Sequence, residues 1–265
     1  MRKSVYMLVL VGGILNVPAF AGVTMEMVTV DAGGQEINRM WFYAEGEGVR
    51  MDIVPSTDDP EMSTIFRGND EFVAIDHEKK RYYVFDQKTL DAMSEQMNAA
   101  MQEMEKQLAS LPPEQRAMAE QMMQGGLQGL MGGEPAPKPR LEAAGSGTWR
   151  SSPCSKYFVF EGATKTQEIC AAPLKAIEGG DEATKAFRRM TGFFEKMADA
   201  LPMGGSEDID LDELLNDIDG FPVVTTQFQS GRVSEVTTLE SASNEDIDPA
   251  RFTIPDGYTR QELMD

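Results

Sequence analysis

The sequence predicts an α+β fold that is mainly β: a single curved antiparallel sheet, an open half-barrel, with helices covering its concave face. Three observations carry this. Short segments rich in β-branched and aromatic residues come first, segments with helical spacing interrupt the middle, and strand-like segments return at the end. Strands, then helices, then strands, with no βαβ alternation, is the order of an α+β fold. The late strands have to complete the sheet that the early ones begin, so one domain with inserted helices is expected rather than two.

The chain opens with a secretion signal. Arg2 and Lys3 form a positive head, Val5 to Val17 is an apolar stretch of 13 residues, and Ala19-Phe20-Ala21 follows Pro18 as a small-x-small cleavage site. The stretch is shorter than the roughly 20 residues a spanning helix needs. Cleavage after Ala21 leaves residues 22–265 as a single mature domain. Gly22 stands where a lipid-accepting cysteine would have to be.

Six strands are then expected over 23–30, 36–44, 49–54, 62–67, 71–76 and 81–86, separated by Gly, Pro, Asn or Asp. In Val49-Arg50-Met51-Asp52-Ile53 the apolar residues take one face and the charges the other. Connections this short allow only antiparallel neighbours. The reading is a sheet with one dry face.

The period then changes. Leu90, Met93, Met97, Met101, Met104, Leu108 and Leu111 recur three or four apart, an amphipathic helical stripe. Pro112-Pro113 breaks it, and a second helix carries Met118, Met122 and Met123. Residues 88–131 are thus a helical insertion, and 132–147, with Pro135, Pro137, Pro139 and several glycines, reads as a flexible linker.

Cys154 and Cys170 are the chain's two cysteines, equidistant from Gly162. A hairpin turning at Gly162 places them opposite each other, and an oxidising compartment makes a structural disulfide the expectation. A redox-active pair would ordinarily be spaced CxxC. A third helix follows, with Phe187, Met190, Phe194, Met197 and Leu201 on one side and Pro202 at its end. After an acidic stretch, 206–219, come strands over 221–229 and 232–241 joined at Ser230-Gly231, a hairpin turn signal. Val233 and Val236 break parity, which indicates a bulge or an edge. The tail from Asp248 to Tyr258 is a turn-rich terminal clasp.

Composition excludes some functions. The chain carries a net charge of −20, and loss of Arg2 and Lys3 makes the mature form −22. Such a surface repels nucleic acid and anionic headgroups. No second stretch approaches transmembrane length, so an integral membrane protein is not expected. The chain's one histidine, His77, lies in the polar turn Asp76-His77-Glu78-Lys79-Lys80 and reads as exposed. A hydrolase triad would need it as base, yet no G-x-S-x-G elbow supplies a nucleophile. No cofactor is implied, and a non-enzymatic role is expected.

The strand Gly48-Val49-Arg50-Met51-Asp52, the strand Arg81-Tyr82-Tyr83-Val84-Phe85-Asp86, Pro153-Cys154-Ser155-Lys156-Tyr157, Gly220-Phe221-Pro222 and the terminal Phe252-x-x-Pro255-x-Gly257-Tyr258 together resemble a bacterial envelope family catalogued as a domain of unknown function. That family is similar to the LolA-like group of periplasmic lipoprotein carriers, an open, unclosed β-barrel with helices lidding a hydrophobic cavity. The resemblance implies periplasmic binding of lipid or lipoprotein. The Met-rich insertion and the acidic loop depart from that pattern.

The candidate ligand-binding residues are Met93, Met97, Met101, Met104, Met118 and Met122. Methionine is unbranched and polarizable, so a lid built of it adapts to apolar ligands of varied shape. The bland alternative is a packed amphipathic helix, and a third reading is a thioether Cu(I) site. Asp208, Asp210 and Asp212 match the first ligands of an EF-hand-type loop. Glu213 stands where that loop wants glycine, and a short acidic helix suits the segment better. The function expected is non-covalent binding of an apolar or amphiphilic ligand. The alternatives are an envelope interaction or sensor module with a filled core, and metal handling by Cu(I) or Ca2+.

Overall fold

The computed structural model describes residues 22–55, 59–68, 70–112, 139–200 and 217–262. The signal segment lies outside them, as do the second predicted helix and residues 132–138 of the predicted linker.

Six strands form the first meander: β1 (Gly22–Asp31), β2 (Glu36–Glu45), β3 (Gly48–Pro55), β4 (Met62–Arg67), β5 (Glu71–Asp76) and β6 (Arg81–Phe85). Helix α1 (Gln87–Ser110) follows, capped by Asp86, whose carboxylate accepts from the Thr89 amide and hydroxyl at 2.7 Å each. These two bonds satisfy an orphan helix donor and hold the Asp86 carboxyl below the usual range. The second meander is β7 (Pro139–Trp149), β8 (Ser152–Glu161), β9 (Thr164–Ala172), then helix α2 (Gly180–Ala200), β10 (Phe221–Gln229) and β11 (Arg232–Glu245). A two-residue strand, β12 (Thr259–Arg260), ends the tail.

All twelve strands of the described residues belong to one sheet, ordered β12-β6-β5-β4-β3-β2-β1-β11-β10-β9-β8-β7. The sheet is open: β12 and β7 are its two edges and do not meet. The two meanders join where β1 pairs antiparallel with β11, from Gly22↔Glu245 to Asp31↔Glu235. The broken parity at Val233 is a bulge, since Gln227 pairs Glu235 whereas Phe228 pairs Val233, leaving Ser234 as the extra residue.

Helix α2 covers the concave face. Ala183, Ala186, Met190 and Phe193, spaced three or four apart, are buried against Val23, Met25, Phe42 and Phe66 of the sheet. Ala183 and Ala186 are fully buried small residues that let the helix lie close to the strands. Phe42 stacks on Phe187 with centroids 4.6 Å apart, and Phe193 meets both Phe66 and Phe72. Gly179, at φ +71°, delivers the chain into α2; a Cβ there would collide with the Val23 side chain. Glycine is therefore required on two grounds, conformation and space.

Three expectations are corrected. Residues 139–147 are not linker but most of β7, paired with β8 from Pro139↔Glu161 to Trp149↔Ser152. As an edge strand β7 tolerates its proline. Gly145 sits at a register shift with φ +93°, and a Cβ on Gly147 would meet Lys156 Cε at 2.7 Å. Second, not every neighbour is antiparallel, because β12 pairs parallel with β6. Third, the charged side of β3 is not solvent-facing. Arg50 and Asp52 are 8% and 4% exposed, whereas Ile53 is 42% exposed. The tail lies over that convex face, where Phe252, Ile254 and Tyr258 pack on Ile65, Val73, Ile75 and Val84.

The cysteines do form a disulfide, with Cα atoms 5.5 Å apart. They are not directly opposite. A register shift at Val159/Phe160 sets Cys170 against Lys156, so the bridge runs diagonally from β8 to β9.

Beneath the tail, Arg50 Nε donates to Asp52 Oδ1 at 2.6 Å, Nη2 to Ser63 Oγ at 3.0 Å and Nη1 to the Arg251 carbonyl at 2.8 Å. A buried pair of this kind is costly to break, because the surviving charge has no water to solvate it. Asp52→Ala is expected to lower the unfolding free energy by about 3–5 kcal/mol, read as a fall in the urea midpoint. Replacing both cysteines by Ala is expected to cost about 3 kcal/mol through loop-closure entropy, and non-reducing against reducing denaturation of the wild type gives the comparison.

Candidate functional site

A cavity of about 230 Å3 lies between α2 and the middle of the sheet. Its floor comes from both meanders: Met27 and Met40 on β1 and β2, Val223 on β10 and Leu239 on β11. Its roof is α2, through Thr184, Phe187 and Arg188. The register explains the floor, since Leu239 pairs Met27 and Met27 pairs Met40, a row of three apolar side chains across adjacent strands. Beyond it the floor turns to threonine, where Thr225 pairs Thr237. Thr237 Oγ1 is bonded to Thr29 Oγ1 at 2.9 Å. At the mouth, Gly220 has φ +124°, and a Cβ on it would collide with the Ala172 carbonyl. The chain thus turns tightly against β9 and leads Phe221 toward Phe187, with ring centroids 5.8 Å apart.

The volume is a little below the roughly 300–1,000 Å3 of drug-sized ligand sites. It suits one slender apolar group and is too small for a whole diacyl lipid.

Of the sequence-predicted lid residues, Met93, Met97, Met101 and Met104 are not among those that line this cavity. Leu90 anchors the start of α1 and is buried, Met93, Met97 and Met104 are half-buried, and Met101 is 43% exposed. The methionines that do line it, Met27 and Met40, lie on strands, where no helical stripe marks them. Phe187 is legible in the sequence as a helix-face residue, but its partner surface is not. Met118, Met122 and the acidic Asp208, Asp210 and Asp212 lie outside the described residues. Among the described residues no group of three or more His, Cys, Asp and Glu side chains could hold a metal ion.

A second arrangement occupies the convex face. His77 is not an exposed turn residue: Nε2 lies 2.6 Å from Ser63 Oγ and Nδ1 lies 2.8 Å from the Tyr258 hydroxyl. The proton count fixes the roles at Ser63. Ser63 Oγ donates to Asp52 Oδ1 at 2.5 Å and accepts from Arg50, so it receives the Nε2 proton as well. In the neutral imidazole, the form that burial favours, Nδ1 is bare and accepts from Tyr258. The chain Tyr258→His77→Ser63→Asp52 then uses every proton once. Burial, and next the Arg50 guanidinium, push the His77 pKa below its ordinary value, while Asp52 and Asp76 pull the other way. His77 and Tyr258 border a polar cleft with Asp59, Glu61 and Glu78. Ser63, however, is fully buried, so the relay presents no exposed nucleophile.

No protein-family model matches the sequence, and no curated protein matches it. Solved structures similar to the chain include an uncharacterized conserved protein from Thermus thermophilus, at TM-score 0.46 and 8% identity over 91% of this chain and 90% of that one. MucB is similar at TM-score 0.36 and 9% identity, over 90% of this chain and 58% of MucB. A LolA superfamily protein from Nitrosomonas europaea is similar at TM-score 0.28 and 6% identity, over 88% and 89% of the two chains. The sheet is open, unclosed and curved, with a helix on its concave face, as the sequence predicts.

The neutral His77 makes stability depend on pH. In the unfolded chain an ordinary imidazole titrates near 6.5, above the lowered native pKa, so in that window the unfolded state binds more protons. Stability is therefore expected to be full above about pH 6.5 and to fall as the pH drops toward the native pKa. Urea midpoints at pH 7.5 and 5.5 measure this, and His77→Gln is expected to reduce the difference.

Proposed function

We propose that the protein is a periplasmic, non-enzymatic binding protein for an apolar or amphiphilic ligand such as an acyl chain. One observation carries the reading: the space between the sheet and α2 is not filled by the side chains of the described residues, and its walls are mostly apolar. A dense protein interior ordinarily leaves few voids larger than a water molecule. An apolar hollow spanning four strands and a helix is therefore a feature in need of an occupant. Burying methylenes there yields about 0.8 kcal/mol each.

The same observation speaks against the alternative of an interaction or sensor module whose core is filled. The residues that bind are taken to be Met27, Met40, Phe187, Val223 and Leu239, with the α1 methionines contributing only if that helix moves. Export with cleavage after Ala21 places the protein in the periplasm on this reading. Among the described residues no helix is long and apolar enough to cross a membrane.

Native mass spectrometry of the exported protein, after extraction of the envelope that holds it, is expected to show an added acyl-chain mass. Met40→Trp, which fills the floor from a half-buried position, is expected to keep the fold and weaken binding of a decyl-chain probe at least tenfold. Unchanged binding by that variant would remove the cavity from the account.

A further inference from the structure

Among the described residues the cavity's lining carries one charged side chain, Arg188, in a protein whose net charge is −20. Two other arginines on the elements that line it are engaged. Arg39 pairs with Glu26 and Glu36, and Arg189 Nη2 donates to the Gly46 carbonyl at 2.8 Å. Arg188 differs: among the described residues its guanidinium has neither an ion pair nor a hydrogen bond, and the residue is exposed. It sits one turn of α2 beyond Thr184 and next to Phe187, both of which also line the hollow. An arginine placed so lays its methylene stem along the apolar wall and holds its head at the mouth. Two of the three threonine hydroxyls in the lining, those of Thr184 and Thr237, are already committed, and Thr225 supplies the third. The Thr184 hydroxyl donates to the Gly180 carbonyl at 2.8 Å and Thr237 is bonded to Thr29.

An apolar hollow with two of its three threonine hydroxyls already bonded and, among the described residues, one unpaired cation at its rim selects for a particular ligand chemistry. We propose that the ligand is a single-chain amphiphile with an anionic head, its tail lying between Met27, Met40 and Leu239 and its acid group held by Arg188. This rests on the cavity being a binding site and adds the class of ligand. The planar guanidinium pairs a carboxylate or a phosphate through two parallel hydrogen bonds, so a fatty acid and a lysophospholipid-type phosphate share the required chemistry. The surrounding negative surface repels any anion that lacks a tail to bury, which makes the chain length and the head act together.

The test is a calorimetric titration of the full protein with four ten-carbon probes: decanoate, decyl phosphate, decanol and decyltrimethylammonium. Decanoate or decyl phosphate is expected to bind at least tenfold more tightly than decanol. Arg188→Gln is expected to bring the anions to within about twofold of decanol, and Arg188→Glu to favour decyltrimethylammonium. A preference for decanoate points to a free fatty acid, and one for decyl phosphate to a phosphate headgroup. If all four bind alike, or if Arg188→Gln leaves the anions untouched, the headgroup assignment is overturned and the cavity reading stands. If none binds, the cavity reading falls and this one with it.

Discussion

The pairing of β1 with β11 is the constraint on which the rest of the molecule depends. It joins residues more than two hundred positions apart, Gly22 against Glu245 and Asp31 against Glu235, and turns two separate meanders into one sheet. Without it the floor of the cavity does not exist, because Met27 and Met40 come from one meander and Val223 and Leu239 from the other. The same pairing brings Val23 beside Asn244, and Gly179 fits between those two side chains to start α2 over the concave face. Closing so long a loop costs entropy that only the buried contacts formed afterward can offset.

The sheet then solves two burial problems differently. On the concave side, one helix with alternating small and large residues packs against the strands. Alanines permit close approach at Ala183 and Ala186, whereas Phe187 stands off the sheet on Phe42, and the hollow lies beside it. On the convex side of the first meander, the tail covers the strands but crosses a face that alternation had furnished with charges. The result is a buried relay from Arg50 and Asp52 through Ser63 and His77 to Tyr258, in which each donor finds one acceptor. Low-dielectric networks of this kind are strong when complete and costly when one member is lost. The relay ties the tail to the β5–β6 turn, while the cavity on the other face stays open.

Much of the fold is legible because it is local. Strands β4, β5 and β10 fall at the bounds their residues predict, and β1, β2, β3, β6 and β11 within a few residues, because period-two patterning and turn residues act over short distances. The bulge at Ser234 is visible as a break in that parity. The proline- and glycine-bearing β7 is not, since composition that signals a linker also suits an edge strand with a bulge. Nor is the burial of Arg50, Asp52 and His77. Their own neighbours in sequence describe an ordinary polar face and an ordinary turn, and the cover arrives from residues 247–260.

The sequence alone thus determined an α+β chain with the pattern of an export signal, a cysteine pair suited to a bridge, a surface too acidic for nucleic acid, and two meanders interrupted by amphipathic helices. Only the tertiary structure decided which helix roofs the hollow, which methionines floor it, and that an arginine with no partner among the described residues stands at its rim. The reason is physical. Periodicity reports which side of an element is apolar, but a cavity is a mismatch between two surfaces that meet across the whole length of the chain, and no local pattern encodes that meeting.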